Sequence, residues 1–99
     1  KQNPTHEFNS NFWLTCITIN EKHIAYSCDD IRVHLDNRNI ESRLLWKPMH
    51  LQPVFKNCPF YGDGTSEKIF NQGLCLPSGS ALSNDDIYRV VNELKSIIK

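Results

Sequence analysis

The C-terminal segment carries the strongest structural signal in this 99-residue sequence. Its aliphatic side chains follow the i, i+3, i+4, i+7 spacing of one helix face: Ile87, Val90, Val91, Leu94, Ile97 and Ile98. Ser83 with Asp86 three residues later matches a capping box, and Lys95 and Lys99 lie at the far end, where the helix dipole favours cations. The spacing predicts an amphipathic helix over about 84–98, whose apolar face must be buried against another element.

Shorter segments predict the remaining elements. β-Strands are expected over residues 11–19, 40–46 and 74–76 because these segments are apolar and rich in β-branched or aromatic types. A helix is expected from the Ser27–Asp30 capping pattern to a turn at 37–39, and another over 66–72 with Gly73 at its C′ position. Apolar residues occupy both parities of 11–19, which predicts a strand covered on both faces.

The order of these elements predicts an α+β fold with a small three-stranded sheet and helices packed on one face. The length fits one domain, assigned to residues 11–99, after a polar and aperiodic terminus at 1–10 that lacks the apolar core of a signal peptide. No element is left to cover the second face of the sheet. That face is therefore either solvated or packed against a partner.

Charge and hydropathy exclude two classes of partner. Eleven basic residues balance eleven acidic ones, so the chain lacks the basic excess of a nucleic-acid-binding domain. No apolar run approaches the roughly 20 residues of a membrane-spanning helix. We therefore expect a protein that binds neither nucleic acid nor membrane.

The spacing of the four cysteines matches no disulfide framework, and the spacing of the four histidines matches no metal-binding motif. Cys16 and Cys75 fall inside strand-like segments and are predicted to be buried thiols, and no two cysteines have CxxC spacing. All four cysteines are expected to be reduced, which predicts a cytoplasmic location. The histidines are scattered, so no metal site is expected.

The segment "RLLWKPMHLQP", residues 43–53, cannot be regular structure. Pro48 and Pro53 each fix φ and lack an N–H donor, yet aromatic, basic and imidazole side chains stand around them. Such side chains on a surface loop are typical of a binding site. The alternative is a proline-bounded connection in which Trp46, Met49 and Leu51 fill the edge of a core.

Two motifs in this order resemble a known family. "NIESRLLWKPMHLQPVF" (39–55) and "GLCLPSGSALSNDDI" (73–87), with a "WLTCITI" strand at 13–19, resemble the C-terminal end of pyridoxal-phosphate-dependent nucleotide-sugar aminotransferases of the DegT/DnrJ/EryC1/StrS group. The resemblance covers about residues 11–99. It implies the small domain of a fold-type-I enzyme that moves an amino group, usually from glutamate, onto a nucleotide-linked keto-sugar.

The same resemblance implies what this chain lacks. In the family, a large N-terminal domain supplies the Schiff-base lysine and most of the pyridoxal phosphate site, and no lysine here matches its lysine motif. We therefore expect no catalytic and no cofactor-binding residue in these 99 residues, and no activity from them alone. The expected partners are that domain of the same chain and a second subunit in a homodimer. The wording "KPMHLQP" is similar to that of enzymes acting on UDP-linked 4-keto-6-deoxy-N-acetylhexosamines for glycan or pilin glycosylation.

The resemblance also implies five substrate-binding residues on the loop. Arg43 and Lys47 would meet the diphosphate, Arg43 through a bidentate fork. Trp46 would stack on a base or sugar, His50 would donate to a sugar hydroxyl or shuttle a proton, and Gln52 would donate and accept hydrogen bonds.

Other interpretations of these residues and of the chain stay open at this stage. Arg43 could instead pair with Glu41 or Asp36, Lys47 could be solvated, and His50 could be a satisfied loop histidine. The whole chain could be a stand-alone sugar-nucleotide-binding module. It could also be an interaction domain that uses the free sheet face for assembly.

Overall fold

The computed structural model describes residues 5–20 and 23–98. Its regular elements are β1 (Thr15–Thr18), α1 (Cys28–Asp36), β2 (Arg43–Leu44), α2 (Thr65–Gln72), β3 (Gly73–Leu76) and α3 (Asn84–Ile98), with two single-turn 3₁₀ helices at Met49–Leu51 and Pro53–Phe55. The strands form one antiparallel sheet in the order β1-β3-β2. The predicted α+β class and the three-stranded sheet are confirmed. Within the described residues no helix is long and apolar enough to cross a bilayer.

Two strands are shorter than the sequence predicts. β1 pairs with β3 only from Thr15 opposite Leu76 to Thr18 opposite Gly73. β3 ends before Pro77, which has no N–H to continue the ladder, so the apolar residues before Thr15 have no strand to pair with. β2 keeps only two paired residues of the predicted 40–46.

One face of the sheet is covered by α1 and α3. Ile31 and Leu35 of α1 and Leu74 of β3 are fully buried, and Val90 and Leu94 of α3 pack against that cluster. The predicted helix α3 and the packing of helices on one face are therefore confirmed. The predicted burial of its apolar side holds only in part, because Val90, Leu94 and Ile97 pack against the core whereas Ile87, Val91 and Ile98 are exposed. Burying a side chain the size of leucine contributes about 1.5–3 kcal/mol, so this cluster is the main source of stability.

Both predicted capping boxes are present. The Ser27 Oγ accepts from the backbone N–H of Asp30, and an Asp30 carboxylate oxygen accepts from the N–H of Ser27 at 2.9 Å. Ser83 and Asp86 repeat this arrangement at the start of α3. Hydrogen bonds, chiefly from the serine side chain, hold the pKa of Asp30 and Asp86 below their usual value.

Gly73 serves a different purpose from the one predicted. It has extended φ and ψ of −104° and 143°, so it is the first residue of β3 and not a left-handed helix cap. A side chain here would overlap Leu45 and would lie 2.6 Å from the carbonyl oxygen of Ile69. Glycine is therefore favoured here, because the Leu45 side chain could move aside but the backbone carbonyl oxygen of Ile69 could not.

Candidate functional site

Within the described residues, no helix covers the second face of the sheet, the open face, near its centre. In the strand register, Cys16 of β1 and Arg43 of β2 both lie directly opposite Cys75 of β3, so the three side chains form a row across this face. Cys16 is exposed and Cys75 is partly buried. The predictions that both are buried, and that β1 is covered on both faces, are wrong for this chain, because α1 and α3 pack only on the opposite face.

A cavity of about 630 Å³ borders this row. Arg43, Cys75 and the 77–79 turn line it, together with Trp13 and Trp46. The two indole rings have centroids 5.8 Å apart and planes 41° apart, and both side chains are about two-thirds exposed. The volume falls within the range typical of small-molecule sites, and the aromatic pair presents wide apolar faces to it.

Arg43 forms an ion pair at the edge of the cavity. Its Nε donates to a carboxylate oxygen of Glu41 at 2.8 Å, as one of the alternatives predicted, and the two side chains are 79% and 73% exposed. An ion pair this exposed is worth no more than about 1 kcal/mol. The guanidinium can therefore exchange Glu41 for a better anion at little cost.

The loop that follows β2 is attached to α2 through His50. The His50 side chain is only 16% exposed, and its Nε2 lies 2.8 Å from a carboxylate oxygen of Glu67. Its ring also stacks on Phe60, with centroids 3.6 Å apart. Gln52 fixes the loop from within, because its amide nitrogen donates to the carbonyl oxygen of Lys47 at 3.3 Å.

The five predicted site residues therefore separate into two groups. Arg43 and Trp46 line the cavity, whereas Lys47 is exposed beside it, and His50 and Gln52 make contacts that hold the loop in shape. Their roles in binding substrate stay predictions. The geometry favours direct contact for the first group and positioning for the second.

Three other residues at the cavity were not among the predicted substrate-binding residues. Trp13 contacts Trp46 only because the chain folds back. The signal that could have indicated Trp13 from the sequence is a large aromatic residue in an apolar strand segment. The Ser42 Oγ is buried without a hydrogen-bond partner within the described residues, and it borders the cavity. The Ser78 Oγ accepts from the N–H of Thr15 at 2.7 Å and donates to the carbonyl oxygen of Leu76 at 2.8 Å, which fixes the 77–79 turn.

The model of the DegT/DnrJ/EryC1/StrS aminotransferase family matches residues 1–95. EpsN of Bacillus subtilis strain 168, provisionally named a pyridoxal phosphate-dependent aminotransferase, is 42% identical over 89 residues, which is 86% of this chain and 22% of EpsN. The GDP-perosamine synthase of Caulobacter vibrioides is 29% identical over 87 residues, covering 88% of this chain and 23% of that enzyme. The chain thus spans about a fifth of the length of these relatives.

Solved structures show the same fold. DesI, solved in the presence of its TDP-sugar product, aligns with a TM-score of 0.72 at 25% identity over 84% of this chain and 21% of DesI. PseC of Helicobacter pylori, an aminotransferase involved in the biosynthesis of pseudoaminic acid, aligns with a TM-score of 0.72 at 16% identity over 86% of this chain and 23% of PseC.

Proposed function

Because the chain belongs to the DegT/DnrJ/EryC1/StrS aminotransferase family of sugar aminotransferases, we propose that it is the C-terminal part of an enzyme that aminates a nucleotide-linked keto-sugar with glutamate as donor. The observation that carries this proposal is that Arg43, Trp13 and Trp46 all border one cavity. A sugar nucleotide combines a flat base with a doubly charged diphosphate. The cavity offers a partner for each.

Different cavity residues would contact different parts of the ligand. The Trp13–Trp46 pair would stack on the base or on an apolar sugar face, a contact worth about 0.5–1.5 kcal/mol beyond buried area. Arg43 would leave Glu41 and engage the diphosphate through its fork of N–H donors, since a charge-assisted bond to phosphate is stronger than an exposed ion pair. Ser42 has unused hydrogen-bonding capacity at the same edge.

His50 and Gln52 act in this proposal mainly by holding the loop that carries Trp46 and Lys47. The His50–Glu67 contact ties the loop to α2, and the Gln52–Lys47 bond keeps the turn after Trp46 closed. A loop that is ordered before ligand arrives pays less conformational entropy on binding. Lys47, being exposed, would add long-range attraction for the diphosphate rather than a fixed contact.

Pyridoxal phosphate, which the family uses for amino-group transfer, does not fit the residues described here. A cofactor lysine has to project into an enclosed site, whereas the lysines in the described ranges are all exposed and none borders the cavity: Lys47, Lys56, Lys68 and Lys95. We propose that the cofactor is held elsewhere in a longer polypeptide. The homodimer expected from the resemblance is likewise a proposal.

Tryptophan fluorescence tests the cavity directly. Trp13 and Trp46 are the two tryptophans of the chain, and both border the cavity. Titration with UDP, GDP or the corresponding sugar nucleotides should quench the emission saturably, and Arg43→Ala should weaken the apparent affinity roughly 5- to 10-fold.

Arg32→Ala is the matched control. Arg32 lies on α1 and also forms an exposed ion pair, with Asp29 at 2.8 Å, but it does not border the cavity. It should leave the titration unchanged. Quenching that is linear in nucleotide concentration, or equally weakened by both substitutions, would contradict the proposal. In a full-length enzyme containing this sequence, Arg43→Ala should raise KM for the sugar nucleotide and leave KM for glutamate unchanged.

A further inference from the structure

The cysteine pair on the open face has a geometry that the sequence alone did not reveal. Cys16 and Cys75 are 59 positions apart in the chain, yet their Sγ atoms lie 3.6 Å apart. They are directly opposite residues of neighbouring antiparallel strands. Neither thiol has a role in the cavity chemistry described above.

The pattern of backbone hydrogen bonds explains how the two thiols come so close. The N–H of Ile19 donates to the carbonyl oxygen of Gln72 at 2.7 Å, so these opposite residues form a hydrogen-bonded pair. In an antiparallel ladder such pairs alternate with non-hydrogen-bonded pairs. Cys16 and Cys75 lie three positions along the ladder from Ile19 and Gln72, so they are a non-hydrogen-bonded pair. In that kind of pair the Cα atoms are about 4.5 Å apart, and disulfides span about 4.4–6.8 Å.

We propose that Cys16 and Cys75 are a thiol-modification site that closes to a cross-strand disulfide when the protein meets a low-molecular-weight disulfide such as oxidised glutathione. Cys16 and Cys75 are both free thiols in this structure, so the site is reduced before the reaction. Closure brings the two Sγ atoms from 3.6 Å to bonding distance by side-chain rotation within one strand pair. Cys75 also lines the cavity, but the proposed contacts with the sugar nucleotide are made by Arg43, Trp13 and Trp46, so the disulfide does not rest on the proposed function.

The exposure of the two thiols sets the order of the steps. Cys16 is exposed, so its thiolate attacks one sulfur of oxidised glutathione, forms a mixed disulfide and releases one glutathione thiolate. Partial burial, with added effects of the neighbouring Cys16, raises the pKa of the Cys75 thiol, so a smaller fraction of Cys75 is thiolate and the first attack falls to Cys16. Cys75 then loses its proton and attacks the Cys16 Sγ, releasing the second glutathione. Two thiols are oxidised and one glutathione disulfide is reduced to two thiols.

The test is exchange of the purified 99-residue chain in glutathione buffers, followed by alkylation and non-reducing peptide mapping. We expect one peptide pair linked through Cys16 and Cys75, while Cys58 is alkylated or carries glutathione. Because the disulfide joins two strands that are far apart in the sequence, the oxidised chain should melt roughly 10 °C higher than the reduced chain. The linked pair should be at least about tenfold less abundant in denaturant, where the strands are separated.

Serine variants complete the experiment. Cys58→Ser is the matched control on an exposed thiol and should leave the cross-link and its thermal shift intact. Cys16→Ser and Cys75→Ser should each abolish both while keeping a native circular dichroism spectrum. Separate glutathione adducts on Cys16 and Cys75 in the folded chain, a link through Cys58, or links only between chains would overturn the proposal.

Discussion

The two faces of the sheet differ in how completely the chain covers them. On one face, Leu74 is fully buried against Ile31 and Leu35 of α1. On the other face, no helix of the described residues covers the row of Cys16, Cys75 and Arg43. Trp13 and Trp46, which lie just outside the strands, are 67% and 68% exposed beside the cavity that borders this row. Solvent-exposed aromatic surface of this kind contributes little to stability and is typical of binding sites. The covered face therefore maintains the fold, and we expect the open face to bind the ligand.

The largest effect expected from this comparison is on stability. Leu35→Ala should lower the free energy of unfolding by about 2–5 kcal/mol, because it leaves a cavity in the covered face. Trp46→Ala removes a larger side chain, yet it should cost less than about 1 kcal/mol because that side chain is mostly exposed. Urea unfolding of both variants measures the difference. Equal losses would mean that the open face also stabilises the fold.

The covered face was the more predictable of the two. The spacing of Ile87, Val90 and Leu94 and the Ser83–Asp86 capping box are local signals, and both gave the helix that the structure shows. Strand ends were missed because they depend on the partner strand. Nothing local to residues 11–14 reveals that β3 stops before Pro77.

The second largest effect concerns the loop that follows β2. His50→Ala should lower stability by about 1–2 kcal/mol, since it removes a part-buried hydrogen bond to Glu67 and a ring stacked on Phe60. Glu67→Gln keeps the shape and weakens only the hydrogen bond, so it should cost less. A double-mutant cycle between His50 and Glu67 measures the coupling.

Kinetics of the same variants in a full-length enzyme separate positioning from catalysis. Glu67→Gln should raise KM for the sugar nucleotide in the same direction as His50→Ala if His50 only holds the loop. A fall in kcat with His50→Ala alone would show that the imidazole acts in the transition state. Unchanged kinetics with a lower melting temperature would make His50 purely structural.

The candidate site was only partly predictable because its contacts join distant parts of the chain. Arg43 and Trp46 lie in one motif, and both were predicted and border the cavity. Trp13 precedes β1 and Trp46 follows β2, and these strands are brought near each other by β3 between them. Glu67 reaches His50 from α2, so neither contact leaves a local pattern. The motif identified the loop, whereas the fold decides which of its side chains face the cavity.

A smaller effect is expected on the pH dependence of stability, at the caps of the two helices that cover the sheet. The folded-state pKa of Asp30 and Asp86 is lowered from 3.8, so their contribution to stability is present above that value and is lost as pH falls through the folded pKa. Ser27→Ala with Ser83→Ala should lower the melting temperature by roughly 5 °C near neutral pH. The deficit should shrink as the pH falls below 3.8 and through the folded pKa, where the aspartates of the wild-type caps also become protonated. A deficit independent of pH would show that the carboxylates contribute nothing through the caps.

The smallest effect is expected on the open face, at the carboxylate that Arg43 contacts. Glu41→Gln removes an exposed ion pair and should change the free energy of unfolding by less than about 0.5 kcal/mol. It should nevertheless tighten nucleoside diphosphate binding roughly two- to fivefold at low salt, because the guanidinium no longer exchanges one anion for another and a repelling charge is gone. Tryptophan fluorescence titration measures the affinity, and Asp29→Asn, which removes the partner of Arg32 at a similarly exposed site, is the control. The gain should fade at high salt. Unchanged or weaker binding in Glu41→Gln would mean that Arg43 does not contact the diphosphate, and the open face would then bind its ligand through the tryptophans alone.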